Sequence, residues 1–479
     1  MFSKTLALLT GAILLQTSLP SLHAADEPVN LGSRLELFVD KYLISEMRQT
    51  SLKLHPPVKA PRPKSPLPVN HMVTVIKDGE QFRAWYRSSD PDYKGPFHSG
   101  HPGEMVAYAE SRDGHEWSFP KLGPHEIASS KNNNVILAKM PPFLTNFMPF
   151  LDSRPGVPPG ERYKALAGYP GPGDKRGTTT PGRGLFAFVS PDGIHWTKKL
   201  EAIPYRPEWR HAFDSPNVSF WSEAEQKYVC YFRTWTDPER LRSISRATSA
   251  DFVTWTRPVE MRPNLPEEHL YTSMTHPYFR APHIYIALPT RYVPGVGEAR
   301  DSETDVNTTD ILFMTSRAGS EKFDRTFTEA YIRPGLDPTQ WINRANYVAC
   351  NVLPTGPQEM SIYHRSGDRY VLRTDGFVSV NAGAKEGEFL TKPLIFSGKK
   401  LHLNFSGSAV GRTRVEIQRA TGEPIPGFGL ADCQPLIGDE IQASVHWKGS
   451  PDLSYLAGQP VRLRFSLKEA DLFSMQFHD

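Results

Sequence analysis

Cysteine is scarce in this chain: Cys230, Cys350 and Cys433 are the three among 479 residues, and they lie far apart. An odd, widely spaced set excludes a disulfide framework, and no Cys-His spacing fits a zinc site. Cys230 sits inside the apolar string Tyr228-Val229-Cys230-Tyr231-Phe232, where a buried free thiol is expected. Excess charge of one sign is also missing. Lys and Arg number 55 against 52 Asp and Glu, and a net charge of +3 excludes general affinity for nucleic acid or membrane. There is no Walker loop, no dinucleotide fingerprint and no basic tail. The apolar run Leu6 to Leu15 is too short to span a bilayer as a helix. With Lys4 before it and Ser21-Leu22-His23-Ala24 after it, residues 1–24 read as a secretory signal. Ala24 and Ala25 are both candidate ends, and a non-cleaved anchor is the alternative. The mature protein is expected to be exported, periplasmic or secreted, with its oligomeric state unread.

Turn formers and aromatics are abundant. The 44 prolines, 35 glycines and 11% aromatic content favour many short strands over helices. Phe213 to Trp255 shows the unit: Val218-Ser219-Phe220-Trp221, then Tyr228 to Arg233, then Ser243 to Ser249, then a turn closing on Trp255. Short β-branched and aromatic runs between turn residues are consecutive antiparallel strands, the blade of a β-propeller. The closing turn recurs. Ser111 to Trp117 and Ser190 to Trp196 share S-x-D-G-x-x-W; Ser249 to Trp255 and Ser316 to Phe323 keep parts of it. Asp-Gly makes the turn, Ser and Asp bond its backbone, and the aromatic packs between blades. These aspartates are therefore assigned to turn chemistry rather than catalysis.

Strand trios precede these turns in four places, and a fifth unit without the motif runs from Tyr347 to Thr374. Arg34 to Ile44 is expected to complete the last blade. Five blades are predicted, with six as the alternative. From Pro393 onward the strands alternate cleanly, as in Leu401-His402-Leu403-Asn404-Phe405, which predicts a β-sandwich. The expected fold is all-β: signal 1–24, five-bladed propeller 25–384, sandwich 385–479, the last docked on the propeller through a short linker.

Exported strand repeats bearing S-x-D-G-x-x-W and followed by a sandwich resemble the five-bladed propeller glycosidases of glycoside hydrolase families 43 and 32. Phe213-Asp214-Ser215-Pro216 resembles their R-D-P blade entrance. The resemblance implies hydrolysis of a glycosidic bond by a carboxylate pair. This chain departs from the pattern at blade 1, where Val69-Asn70-His71-Met72 stands in place of a catalytic Asp, and it lacks their Glu-Cys or Glu-Gly-Pro acid motif. Sialidases carry a related but longer turn in a six-bladed ring and fit less well.

Strand order separates the two ends of the ring. First-strand starts, second-strand ends and third-strand starts share one end, and the S-x-D-G-x-x-W turns lie at the other. Asp214, His71, Asn146, His276 and Asn346 then belong to the pocket end, with Arg87, Arg233, Arg291 and His364 at second-strand ends. Glu104, Arg183 and Asp310 start third strands. Glycoside hydrolysis commonly needs one carboxyl group as acid and another as base or nucleophile. Asp214 is the first candidate and Glu268 its partner, each weighed against an ion-pair or loop role; Glu104 and Asp310 are reserves, and Glu359 falls at the far end. Arg87, Arg183, Arg233, Arg291 and Arg344 make an arginine-rich rim, which suits a uronate or sulfated sugar unless they pair with blade carboxylates. His71, His276 and Asn346 are candidate sugar contacts. No cofactor is expected, and Asp301 to Asp305 reads as a solvated acidic loop rather than a calcium site. Phosphorolysis, as in propellers resembling glycoside hydrolase family 130, is a further option. A non-catalytic carbohydrate-binding propeller or a protein-binding scaffold is the alternative from another class.

Overall fold

The computed structural model describes residues 27–479 apart from 69–71, 98, 169–182, 207, 208, 210 and 298–305. The expected signal segment, His71 and the Asp301 to Asp305 loop lie outside the described residues. Among the described residues regular structure is strand throughout, apart from three single-turn 3-10 segments. None of their helices is long and apolar enough to cross a membrane.

Hairpin connections build six small antiparallel sheets, numbered in chain order as sheets 1 to 5 with the two three-stranded ones grouped as sheet 4. Sheet 1 is Val73–Asp78, Gln81–Ser89, Glu104–Ser111 and Val135–Ala138. Sheet 2 is Met148–Leu151, Tyr163–Ala167, Leu185–Ser190 and Thr197–Ile203. Sheet 3 is Val218–Ser222, Lys227–Trp235, Arg242–Ser249 and Val259–Glu260. Sheet 4 comes in two pieces. His276–Tyr278, Ala281–Ala287 and Met314–Arg317 form one, and His269–Leu270, Thr290–Pro294 and Asn307–Ile311 the other. Pro289 falls at the break, where its missing N–H cannot continue a ladder. Sheet 5 is Leu353–Pro354, Glu359–Tyr363, Arg369–Arg373 and, from far upstream, Val58–Lys59.

That last strand corrects the expected closure. Lys59 pairs with Tyr370 and Val58 with Val371, so residues 58 and 59, not Arg34 to Ile44, complete sheet 5. The Arg34 to Ile44 segment instead enters a ten-stranded sheet, with Glu36 opposite Met475 and Ile44 opposite Thr391. Its apolar residues Leu35, Leu37, Phe38, Val39 and Leu43 are all buried. The same sheet takes Val29–Gly32, Ser51–Leu54 and Val378–Ala382. Both chain ends therefore build it, and a cut at 384/385 does not separate it. Its long strands Lys400–Arg419 and Val461–His478 pair antiparallel, with a register break between Gly407 and Arg412. The alternate residues Leu401, Leu403 and Phe405 enter its core. Asn404, on the opposite face, is also buried because it donates to the Thr374 carbonyl, 2.8 Å, beside sheet 5.

Sheets 1 to 5 touch in a closed cycle. Thr74 Oγ1 meets Met148 Sδ at 3.7 Å, the Asn146 amide donates to Phe213 O, and Ser215 Oγ donates to Tyr271 O at 2.7 Å. Val352 N–H donates to His276 Nε2 at 3.0 Å, and Cys350 N–H returns to Val73 O at 2.9 Å. Tyrosines on the second strands reinforce the cycle, each reaching a carboxylate of the preceding sheet: Tyr163 to Asp78, Tyr228 to Asp152 and Tyr285 to Glu225.

The recurrent turn explains its own residues. Ser190 Oγ accepts from Gly193 N–H, and Asp192 accepts from the backbone of Ile194 and His195. Ser111–Asp113 and Ser249–Asp251 repeat these bonds. Gly193 has φ +78°, and its carbonyl accepts the Trp85 indole N–H of sheet 1 at 2.6 Å. Gly114 receives the Tyr363 hydroxyl of sheet 5 in the same way, 2.8 Å. Each turn is thus a wedge against the sheet before it.

Candidate ligand-binding end of the ring

Asp214, just before the first strand of sheet 3, has a side chain 31% exposed and an ion pair with Arg233 from the second strand. Phe213, its neighbour, is held at φ +69°; Asn146 and Met274, at comparable strand entrances, also have positive φ. Such left-handed entrances cost energy for non-glycine residues and are held by the packing around them. Asn146 is fully buried and gives its amide to the Phe213 carbonyl, which fixes the Asp214 backbone.

Arg233 is 4% exposed. Burial would depress its pKa, but the Asp214 charge and the Tyr271 phenol outweigh this and hold it above the ordinary arginine value. Its guanidinium lies 4.9 Å from the Tyr271 ring centre. A second guanidinium follows. Arg242, first residue of the third strand, lies 4.5 Å from the Tyr292 ring, 4.7 Å from Trp235 and 5.4 Å from Tyr271. Burial, then repulsion from Arg233, pulls its pKa below the ordinary value. His211 packs on Trp235 at 5.1 Å, and His269 sits between Trp235 and Tyr292. Burial first, and the nearby arginines next, lower both histidines, so they are neutral at pH 7. The result is a half-buried wall of rings from sheets 3 and 4, with two cations and one carboxylate set into it.

The other nominated residues separate into distinct groups. Glu268 is buried, both oxygens are held by Arg325 at 2.8 and 3.1 Å, and its Oε2 also accepts Leu265 N–H. It is committed to fold structure, which corrects its assignment as a catalytic partner. Glu104 is buried and spends its oxygens on Arg87 and on Thr145 of sheet 2. Asp310 is gripped by Arg291 through both oxygens. His276 is not a sugar contact. Its Nδ1–H donates to Met274 O and its Nε2 accepts from Val352, and burial holds it down to about 4. Asn346 gives both amide hydrogens to the carbonyls of Thr309 and Gln340, a second correction of the same kind. Arg183 precedes the third strand of sheet 2, half-buried. Arg344 is exposed, at φ +58°, and with Arg365 acts on the buried Tyr347 phenol next to Tyr271.

Of the residues the sequence nominated, Asp214 and Arg233 pair beside Tyr271, and Arg344 lies near Tyr347, which packs on Tyr271. Strand polarity did not nominate Arg242, Trp235, His211, Tyr271 or Tyr292, which lie around them, although Arg242 occupies a third-strand start and meets the same rule that selected Glu104. Among the described residues, no group of three or more His, Cys, Asp or Glu side chains is arranged to hold a metal ion.

No family model matches the chain, and no curated protein matches its sequence. Among solved structures it is similar to a family 43 arabinoxylan arabinofuranohydrolase from Bacillus subtilis, 11% identical. That match covers 86% of this chain and 96% of that one, with a TM-score of 0.37. It is also similar to an N-acetylgalactosamine deacetylase from F. plautii, 13% identical over 87% and 95%, TM-score 0.39. An exo-β-1,3-galactanase from Phanerochaete chrysosporium is 10% identical over 89% and 100%, TM-score 0.37. Likeness at this level transfers no chemistry from those enzymes to this chain.

Proposed function

We propose that the chain is an exported five-bladed propeller joined to a β-sandwich, and that it acts on carbohydrate at the Asp214 end, cleaving a glycosidic bond. One observation carries this. A partly exposed carboxylate is anchored by a buried arginine that lies on Tyr271, and next to that arginine Arg242 is set among Trp235, Tyr271 and Tyr292. Aromatic faces stack on the apolar faces of sugar rings, and in this reading the carboxylate serves as nucleophile toward the anomeric carbon or as base toward the attacking water. Arg233 keeps Asp214 oriented through that encounter.

A second reading, non-catalytic binding, is favoured by a specific feature. Glu104, Glu268 and Asp310, the carboxylates offered as partners, each have both oxygens already engaged. An engaged carboxylate has to leave its arginine before it can protonate a leaving group. The deciding experiment measures reducing ends released from a panel of oligosaccharides by the parent protein and by Asp214→Asn. Turnover by the parent, lost by at least about 100-fold in the variant while binding persists, supports the enzyme. Binding of a glycan that the parent never cleaves leaves the binding module.

A further inference from the structure

Sheets 1 and 4 each neutralise a second-strand arginine with a third-strand carboxylate, and sheet 3 does not. In sheet 1, Arg87 is on the second strand, and the residue two further on, Ser89, pairs across to Glu104 at the start of the third. Arg87 and Glu104 neutralise one another. In sheet 4, Arg291 lies directly opposite Asp310 and pairs with it. In sheet 3, the residue two after Arg233 is Trp235, and it pairs across to Arg242. The place held by Glu104 in sheet 1 is therefore filled by a cation in sheet 3. Arg233 has no third-strand carboxylate to meet and takes Asp214 instead.

The consequence is a surplus of positive charge. Nη2 of Arg233 is spent on Asp214 and the guanidinium also interacts with the Tyr271 phenol, whereas Nε and Nη1, buried, make no close hydrogen bond among the described residues. Nε of Arg242 is likewise buried and without one. Buried charged donors left unmet are costly, and they persist where something else meets them. The rings around Arg242 steady its guanidinium by cation–π contact, and the only acceptor they offer it among the described residues is His269 Nδ1, 3.5 Å from Nη1. Two arginines held side by side among half-exposed aromatic rings make a receptor for an anion attached to a ring that stacks.

We propose that Arg242, with the buried charge of Arg233 behind it, binds an anionic substituent of the glycan, a carboxylate or a sulfate, and that Arg242 selects acidic over neutral sugars. This rests on the carbohydrate reading above and adds the chemical class. Arg87 and Arg291, which the composition of the rim also offered, play no part, because their charges are already met.

The test is a glycan array of uronic-acid and sulfated oligosaccharides, each with its neutral counterpart, probed with the full mature chain and followed by calorimetry on the best pair. The expected result is binding to the acidic member with at least about 10-fold preference. Arg242→Ala should remove about 10- to 100-fold of acidic affinity, and Arg242→Lys, which keeps charge but loses the planar donors, should fall between. Urea unfolding midpoints matching the parent establish that each variant is folded. Preference for carboxylate over sulfate, or the reverse, tells the two sources apart. Equal binding of acidic and neutral partners overturns the anion receptor while leaving the carbohydrate reading intact. Unchanged discrimination in a folded Arg242→Ala variant overturns the role of Arg242. Silence across the whole array overturns both.

Discussion

Glu36 ties together three parts of the molecule, and its removal should show this quantitatively. It pairs within the ten-stranded sheet and is fully buried, yet it accepts from Arg34 at 2.8 Å, His283 at 2.9 Å and Arg317 at 2.7 Å. His283 and Arg317 belong to sheet 4, so the carboxylate joins the N-terminal segment to the ring. Arg317 also forks onto Asp40 through two 2.9 Å bonds. Burial alone would raise the Glu36 pKa, but the His283 bond and the Arg317 charge win and hold it at about 2 against an ordinary 4.5. The unfolded chain therefore takes up its proton first as pH falls, and stability present above pH 4.5 is lost on the way down toward about 2. That fall corresponds to roughly 3 kcal/mol, about half of it gone by pH 3. Glu36→Gln should cost about 3 kcal/mol at pH 7, at the lower end of what breaking a buried ion pair costs because Asp40 still holds Arg317. Urea unfolding followed by tryptophan fluorescence at pH 7, 5, 4 and 3 measures both proteins. The gap should narrow below pH 4.5 and not between pH 7 and 5. His276, held down to about 4 by burial, titrates in a higher window and cancels from the comparison. A gap absent at pH 7, or constant down to pH 3, would show that the coupling is not carried by this carboxylate.

Two further substitutions probe how the ring is assembled. Tyr228→Phe removes the hydroxyl that reaches Asp152 at 2.6 Å from the neighbouring sheet, and should cost about 1.5–3 kcal/mol in urea unfolding; a loss below about 0.5 kcal/mol would reduce the tyrosine links to packing. Gly193→Ala places a methyl 2.7 Å from the Trp85 ring at φ +78°, and should destabilise by about 1–3 kcal/mol with a changed near-ultraviolet tryptophan signal, while an unchanged spectrum would refute the wedge.

What local sequence revealed, and what it hid, follows from how far each contact reaches along the chain. Hairpin strands such as Val218–Ser222 and Lys227–Trp235 were legible because pattern, turn and partner lie within a few residues. The role of Arg34 to Ile44 was not, since its strandlike apolar residues carry no sign of a partner near Met475. The ring-closing strand is just Val58 and Lys59, too short for any periodicity to announce.

The site divides along the same line. Strand polarity places a residue at one end of the ring, but which neighbour satisfies it is decided between strands. Glu104 and Asp310 both fit the polarity rule, and both are spent on arginines that the folded chain brings near. Arg242 fits the rule equally well and was passed over because Leu241-Arg242-Ser243 has nothing distinctive in it. Its significance appears only across the sheet, opposite Trp235, where sheet 1 has Glu104 opposite Ser89. A reversal of charge at the register position that holds Glu104 in sheet 1, in a sheet whose second-strand arginine lacks the third-strand carboxylate found in sheets 1 and 4, is what singles out sheet 3. Reading cross-strand register between repeats, rather than residue type within one, is therefore how such a site becomes visible.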